Sequence, residues 1–149
     1  MSSPTPELIA AAAVAESPLW GEALRADPDW APVFSPLADE SYASGLETVY
    51  EAYLVHYGRS RLFAPADDDA AILLGDYLYA HGLVRIAEAG GVSAVSILAD
   101  LVSRCAALQA GDEHGDGEAG ADAARTLGGG DGSDEARANA LAIHAQRIN

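Results

Sequence analysis

The stretch that most constrains this chain is Ala70–Ala80, AAILLGDYLYA, an apolar run with Gly75-Asp76 at its centre. A glycine inside a helix costs about 1 kcal/mol relative to alanine. A carboxylate among leucines costs more unless it is hydrogen-bonded. Local propensity favours neither residue here. Gly75 is therefore expected to serve a close helix–helix approach, and Asp76 to be a hydrogen-bonded internal anchor.

The surrounding chain has helical chemistry. Alanine, leucine and glutamate abound, and alternating β-branched patterns are nearly absent. The reading is an all-α helical bundle in one domain over residues 1–149. Thr5-Pro6-Glu7 and Ser17-Pro18 are helix starts, so residues 1–38 hold two short helices and a Pro-rich connector over 28–38. Trp30, Val33, Phe34 and Leu37 let that connector lie against the core.

Three long core helices are expected over 39–110. In the first, Leu46, Val49, Tyr50, Tyr53, Leu54 and Tyr57 follow helical spacing and form one apolar, aromatic face. The second spans 67–88, with Asp67-Asp68-Asp69 capping its start. Ile72, Leu73, Tyr77, Leu78 and Ile86 make it apolar on more than one face, which suggests neighbours on two sides, including a second chain. Gly90-Gly91 ends it. The third spans 92–110 through Val95, Leu98, Leu101 or Val102, Cys105 and Leu108.

Residues 111–132 are glycine-rich and acidic. Between Gly111 and Glu135 there are eight acids against Arg125 alone, a local net charge of −7. This composition reads as a disordered, solvated linker. Ser133-Asp134-Glu135 then starts a C-terminal helix over 133–149.

Charge excludes one function class. The formal net charge is −15, and nucleic-acid binding needs a basic face. The sole cysteine, Cys105, reads as a buried core thiol in a reducing compartment. No Lys or Arg precedes the N-terminal apolar run, so no secretory signal is expected. No uninterrupted 18-residue apolar span occurs, so no membrane anchor is expected and the location is read as cytoplasmic. His56, His81, His114 and His144 form no zinc spacing, and no phosphate-binding glycine loop or nucleophile elbow is present.

Two segments resemble trans-polyprenyl diphosphate synthases. Residues 73–91, LLGDYLYAHGLVRIAEAGG, resemble that family's Gly-Asp-Tyr-Leu helix and the small-residue turn after it. Residues 45–62, GLETVYEAYLVHYGRSRL, resemble the helix that normally ends Leu-Ile-His-Asp-Asp-x-x-Asp. Leu54-Val55-His56 is kept, but the acids give way to Tyr57, Gly58 and Arg61. The resemblance covers 45–110 and implies a truncated isoprenoid synthase fold. In the family those acids hold Mg²⁺ against the diphosphate. Their replacement here implies no metal, no cofactor and no catalytic residue.

What the resemblance implies is a non-catalytic accessory subunit that pairs with a catalytic polyprenyl diphosphate synthase and shapes its product tunnel. The interface would use Leu74, Tyr77, Leu78, Val95, Leu98 and Val102. The alternative is a degenerate member acting as a homodimeric scaffold or as a binder of an apolar or prenyl ligand. There Tyr50, Tyr53 and Tyr57 would line or plug the ancestral cavity, and Arg59 and Arg61 would hold an anionic head group. Both arginines could equally be solvated or paired with nearby acids.

Overall fold

The computed structural model describes residues 5–148 and is all-helical, with 75% helix. The elements are α1 (Thr5–Glu16), α2 (Pro18–Glu22), α3 (Ala43–Tyr57), α4 (Asp68–Ala110), α5 (Asp116–Leu127) and α6 (Asp134–Ile148). Two short 3-10 turns, Ser35–Leu37 and Glu40–Tyr42, lie between α2 and α3. Several starts follow the chemistry of their caps. Ser17 accepts from the Leu19 N–H, Asp67 from that of Ala70 and Ser133 from that of Ala136. Thr5, expected as a cap, is itself helical in α1.

Helix α3 is the axis of the bundle. Every residue from Gly45 to Leu54 is buried. Patterning predicts one apolar face, yet Glu47, Thr48 and Glu51 on the opposite side are also enclosed. Helix α4 packs antiparallel to α3 at very close range. A Cβ at Gly82 would sit 2.6 Å from a Val49 methyl, and one at Gly45 would sit 2.7 Å from Ile86. At Gly75 a Cβ would overlap the His56 ring. The glycine of the central run therefore does admit close approach. Asp76 does not turn inward. It is one position further round the helix, its side chain is 66% exposed, and its carboxylate lies 3.6 Å from His56 Nε2.

The two expected helices 67–88 and 92–110 are the two arms of α4, separated by a kink at Gly91, whose φ of 70° and ψ of −159° are not helical. Glycine alone reaches that conformation without strain. Ile72 and Leu73 were expected to be buried, but both are exposed, as is Val84. By length and composition α4 is apolar enough to cross a membrane. Its best 18-residue window has mean hydropathy 1.5 and is 17% buried. Arg85, Glu88 and Asp100 interrupt the apolar run, so it is not an uninterrupted apolar span of that length.

The other correction concerns 111–132. Half of this stretch folds as α5, although it carries two interior glycines at about 1 kcal/mol each. Tertiary packing overrides propensity. Gly120 lies where a Cβ would meet Phe34 at 2.8 Å, and Gly117 where one would meet His144 at 2.8 Å. The small residues that weaken the helix are those that let it dock.

The close α3–α4 contact predicts the sign of a substitution. Gly82→Ala would stabilise an exposed helix by about 1 kcal/mol. Here the overpacking against Val49 should dominate, lowering stability by about 1–3 kcal/mol in urea denaturation.

Candidate functional site

Two polar clusters lie inside the bundle, one on each side of α3. The first is built on Glu47 and Glu51, one helical turn apart. Arg61 lies between them and is fully buried. Its Nη1 donates to Glu47 at 2.6 Å and its Nε to Glu51 at 2.8 Å. The other carboxylate oxygens also have donors. Glu47 accepts from the Val33 and Ser35 N–H groups at 3.0 Å. Glu51 accepts from the Ser60 hydroxyl and from the N–H groups of Arg61 and Leu62. The guanidinium also stacks over Trp30, 4.0 Å from the ring centre. Burial works against the Arg61 charge, but Glu47 and Glu51 more than offset it and raise its pKa above the ordinary value.

The second cluster borders a chamber among α3, α4, α5 and α6. His144 Nδ1 is 2.8 Å from the Tyr50 hydroxyl. On the other edge of the ring, Nε2 is 3.1 Å from the Asp116 carboxylate but out of line for a good hydrogen bond. Tyr53 donates to Asp116 at 2.7 Å and accepts from Gln109 at 2.7 Å. These partners, His144 foremost, hold the Asp116 pKa at about 2. Burial pushes Tyr50 and Tyr53 well above the ordinary phenol value, so both hydroxyls keep their protons. The chamber measures about 40 Å³, with Phe34, Tyr79, Leu98 and Val102 among its walls. That volume holds about three waters at roughly 10–15 Å³ each. Cys105 also lines it, and burial raises that thiol to about 11, which fits an unreactive core cysteine.

The proposed ligand-binding residues therefore separate. Tyr50 and Tyr53 line the chamber together. Tyr57 is 39% exposed and packs on Tyr53 and His56 instead. Arg61 cannot serve as a head-group ligand, because its charge is enclosed by two carboxylates. Arg59 is exposed and occupied differently. Its side chain donates to the Gln146 carbonyl and its N–H to that of Arg147, so it caps the C-terminal end of α6, where a cation is favourable.

The interface set also divides. Leu74, Leu78 and Leu98 are at most 1% exposed within this one chain, so they offer no surface to a partner. Leu74 and Leu78 belong to the cluster with Ile9 and Ala13 of α1 and Ala52 of α3, and Leu98 to that with Leu46, Val49 and Tyr50 of α3. Tyr77, Val95 and Val102 are half-buried. Among the described residues, no group of three or more His, Cys, Asp or Glu side chains is arranged to hold a metal ion.

Patterning did not reveal Glu47, Glu51, Asp116 or His144 as a network. One signal was present: two glutamates four apart inside an otherwise apolar helix, followed by Arg61. Asp116 carried no signal, because it sits among other acids of the same stretch. Searches against protein-family models, curated proteins and solved structures found no match to this chain.

Two measurements test these clusters. Arg61→Met leaves two buried carboxylates unpaired and should cost about 3–5 kcal/mol in chemical denaturation. Lysine should not rescue it, since one ammonium cannot bridge both acids in the same fork geometry. For Asp116 the folded pKa lies below the ordinary 3.8. Its stabilising contribution is then present above pH 4 and is lost as pH falls towards 2. Asp116→Asn should flatten that part of the acid-unfolding profile.

Proposed function

We propose that this chain is a non-catalytic accessory subunit of a polyprenyl diphosphate synthase in the cytoplasm, with a truncated isoprenoid synthase fold. It would seat on a catalytic partner and shape that partner's product tunnel. The observation that carries this reading is the outer face of α4. Ile72 is 54% exposed, Leu73 60%, Val84 53% and Val92 86%. Leu73, Tyr77, Ala80, Val84 and Ala87 recur at alternating spacings of four and three, the seam of a helix that packs on another helix. An exposed apolar stripe of this kind marks a contact surface. It lies on the helix that carries Gly-Asp-Tyr-Leu, so the interface residues are the outward ones rather than Leu74, Leu78 and Leu98.

The end of α3 supports a non-catalytic role. Tyr57, Gly58 and Arg61 stand where the family places its Mg²⁺-binding acids, and Arg61 is committed to Glu47 and Glu51. No cofactor is part of the proposal.

The second reading, a homodimeric scaffold, draws on the same outer stripe of α4, which a second copy of the chain would cover. A prenyl-binding version of this reading needs a chamber much larger than about 40 Å³.

Co-purification with a polyprenyl diphosphate synthase that retains its Asp-rich motifs tests the proposal. The complex should form, and its product length with isopentenyl and allylic diphosphates should differ from that of the catalytic chain alone. Leu73→Glu with Val84→Glu should abolish association and leave the melting temperature within about 4 °C, the shift of roughly 1 kcal/mol in a domain this size. A stable dimer of the chain alone that ignores such synthases would favour the scaffold. Failure to associate in either way would remove both readings.

A further inference from the structure

We propose that α5 is a hinged lid over the aromatic chamber, and that the chamber beneath it takes a small uncharged apolar group, aryl or short alkyl. The lid has a weak inner face. Its buried residues are Gly117, Ala119, Gly120, Ala121, Ala123 and Ala124, none with more than a methyl group. Few dispersion contacts hold such a face down. Twelve residues are also too few for a helix to persist unsupported.

Both ends of the lid are glycine hinges in the left-handed region. Gly115 has φ 118°, Gly128 has φ 80° and Gly129 has φ 87°. The C-terminal hinge is pinned: the Asp39 N–H donates to Gly128 at 2.8 Å and the Asp131 N–H to Pro36 at 3.0 Å. The N-terminal end depends on Asp116, which latches to Tyr53 at 2.7 Å and lies 3.1 Å from His144 Nε2. On the outer face, Arg137 lies 3.5 Å from Asp122. The lid therefore swings from the Asp116 end about Gly128–Gly129.

What it covers is suited to an apolar guest. Phe34, Tyr50, Tyr79, Leu98, Leu101 and Val102 form the walls, and Asp116 places a carboxylate at the rim. That rim disfavours anions. His144, more than nine-tenths buried, lines the same space with an Nε2 that lacks a well-aligned hydrogen bond. Closed, the chamber is too small for an aromatic ring, so entry requires the lid to rise.

Hydrogen exchange of the full chain, with and without toluene as a neutral aryl probe, tests this. Amides of 117–127 should exchange faster than those of 46–54, on the order of tenfold or more, because lids come from the low-stability end of a fold. Asp116→Asn should speed 117–127 further by a similar factor and leave 46–54 unchanged. The probe should bind one per chain, and more tightly to Asp116→Asn in proportion to the larger open fraction. Val102→Phe, which narrows the chamber, should weaken it. The proposal falls if 117–127 exchange no faster than 46–54 in the wild-type chain. It also falls if probe binding is absent or is indifferent to both variants. Should Asp116→Asn fail to fold, the wild-type exchange order and the Val102→Phe titration still decide.

Discussion

Two carboxylates one turn apart on a buried helix share a single guanidinium, and most of the architecture follows from that arrangement. Taking Glu47, Glu51 and Arg61 out of water carries a large desolvation cost. It is offset only because every carboxylate oxygen has at least one donor. Those donors come from two loops: Val33 and Ser35 from the connector, Ser60, Arg61 and Leu62 from the turn after α3. The cluster thus fixes where both loops lie. It also carries one excess negative charge, so it resists losing its only cation.

With the loops pinned on one side, the opposite side of α3 is left for α4, α5 and α6. The α3–α4 contact is set by glycines rather than by large side chains. Gly45, Gly75 and Gly82 bring the backbones together and fix the rotation of α4. That rotation has two consequences. Leu74 and Leu78 turn inward, whereas Leu73 and Val84 are left outside. The apolar surplus of α4 becomes an exterior seam instead of core.

The chamber lies between α3 and the second arm of α4. Beyond the bend at Gly91 that arm returns alongside α3, with Gln109 bonded to the Tyr53 hydroxyl, and aromatic side chains of α3 fill the space between them incompletely. Helix α5 closes it with alanines and glycines, tied at one end through Asp116. Stability is uneven by construction: α3 is locked by ionic and glycine contacts, whereas α5 rests on small residues and a latch.

Much of the secondary structure was legible in the chain. The caps at Ser17, Asp67 and Ser133, the break at Gly90-Gly91 and the helical spacing of α3 and α4 are local signals, so they survive folding. The role of Gly75 was legible as well, because a glycine in an apolar helix has few other uses. Three features were not legible. Glu47 and Glu51 look like ordinary surface glutamates until Arg61 meets them across a loop. Residues 116–127 have the composition of a linker, and only a surface shaped for Gly117 and Gly120 makes them a helix. Asp76 looked internal because its neighbours are apolar, but a helix turns about 100° per residue, and facing is set by the partner. The sequence by itself determined an all-α chain with its main helices and breaks, since propensity and capping act within a few residues. Which faces are core, which carboxylates are paired and where the chamber lies were decided only by tertiary structure, because burial and charge compensation depend on residues brought together from distant parts of the chain.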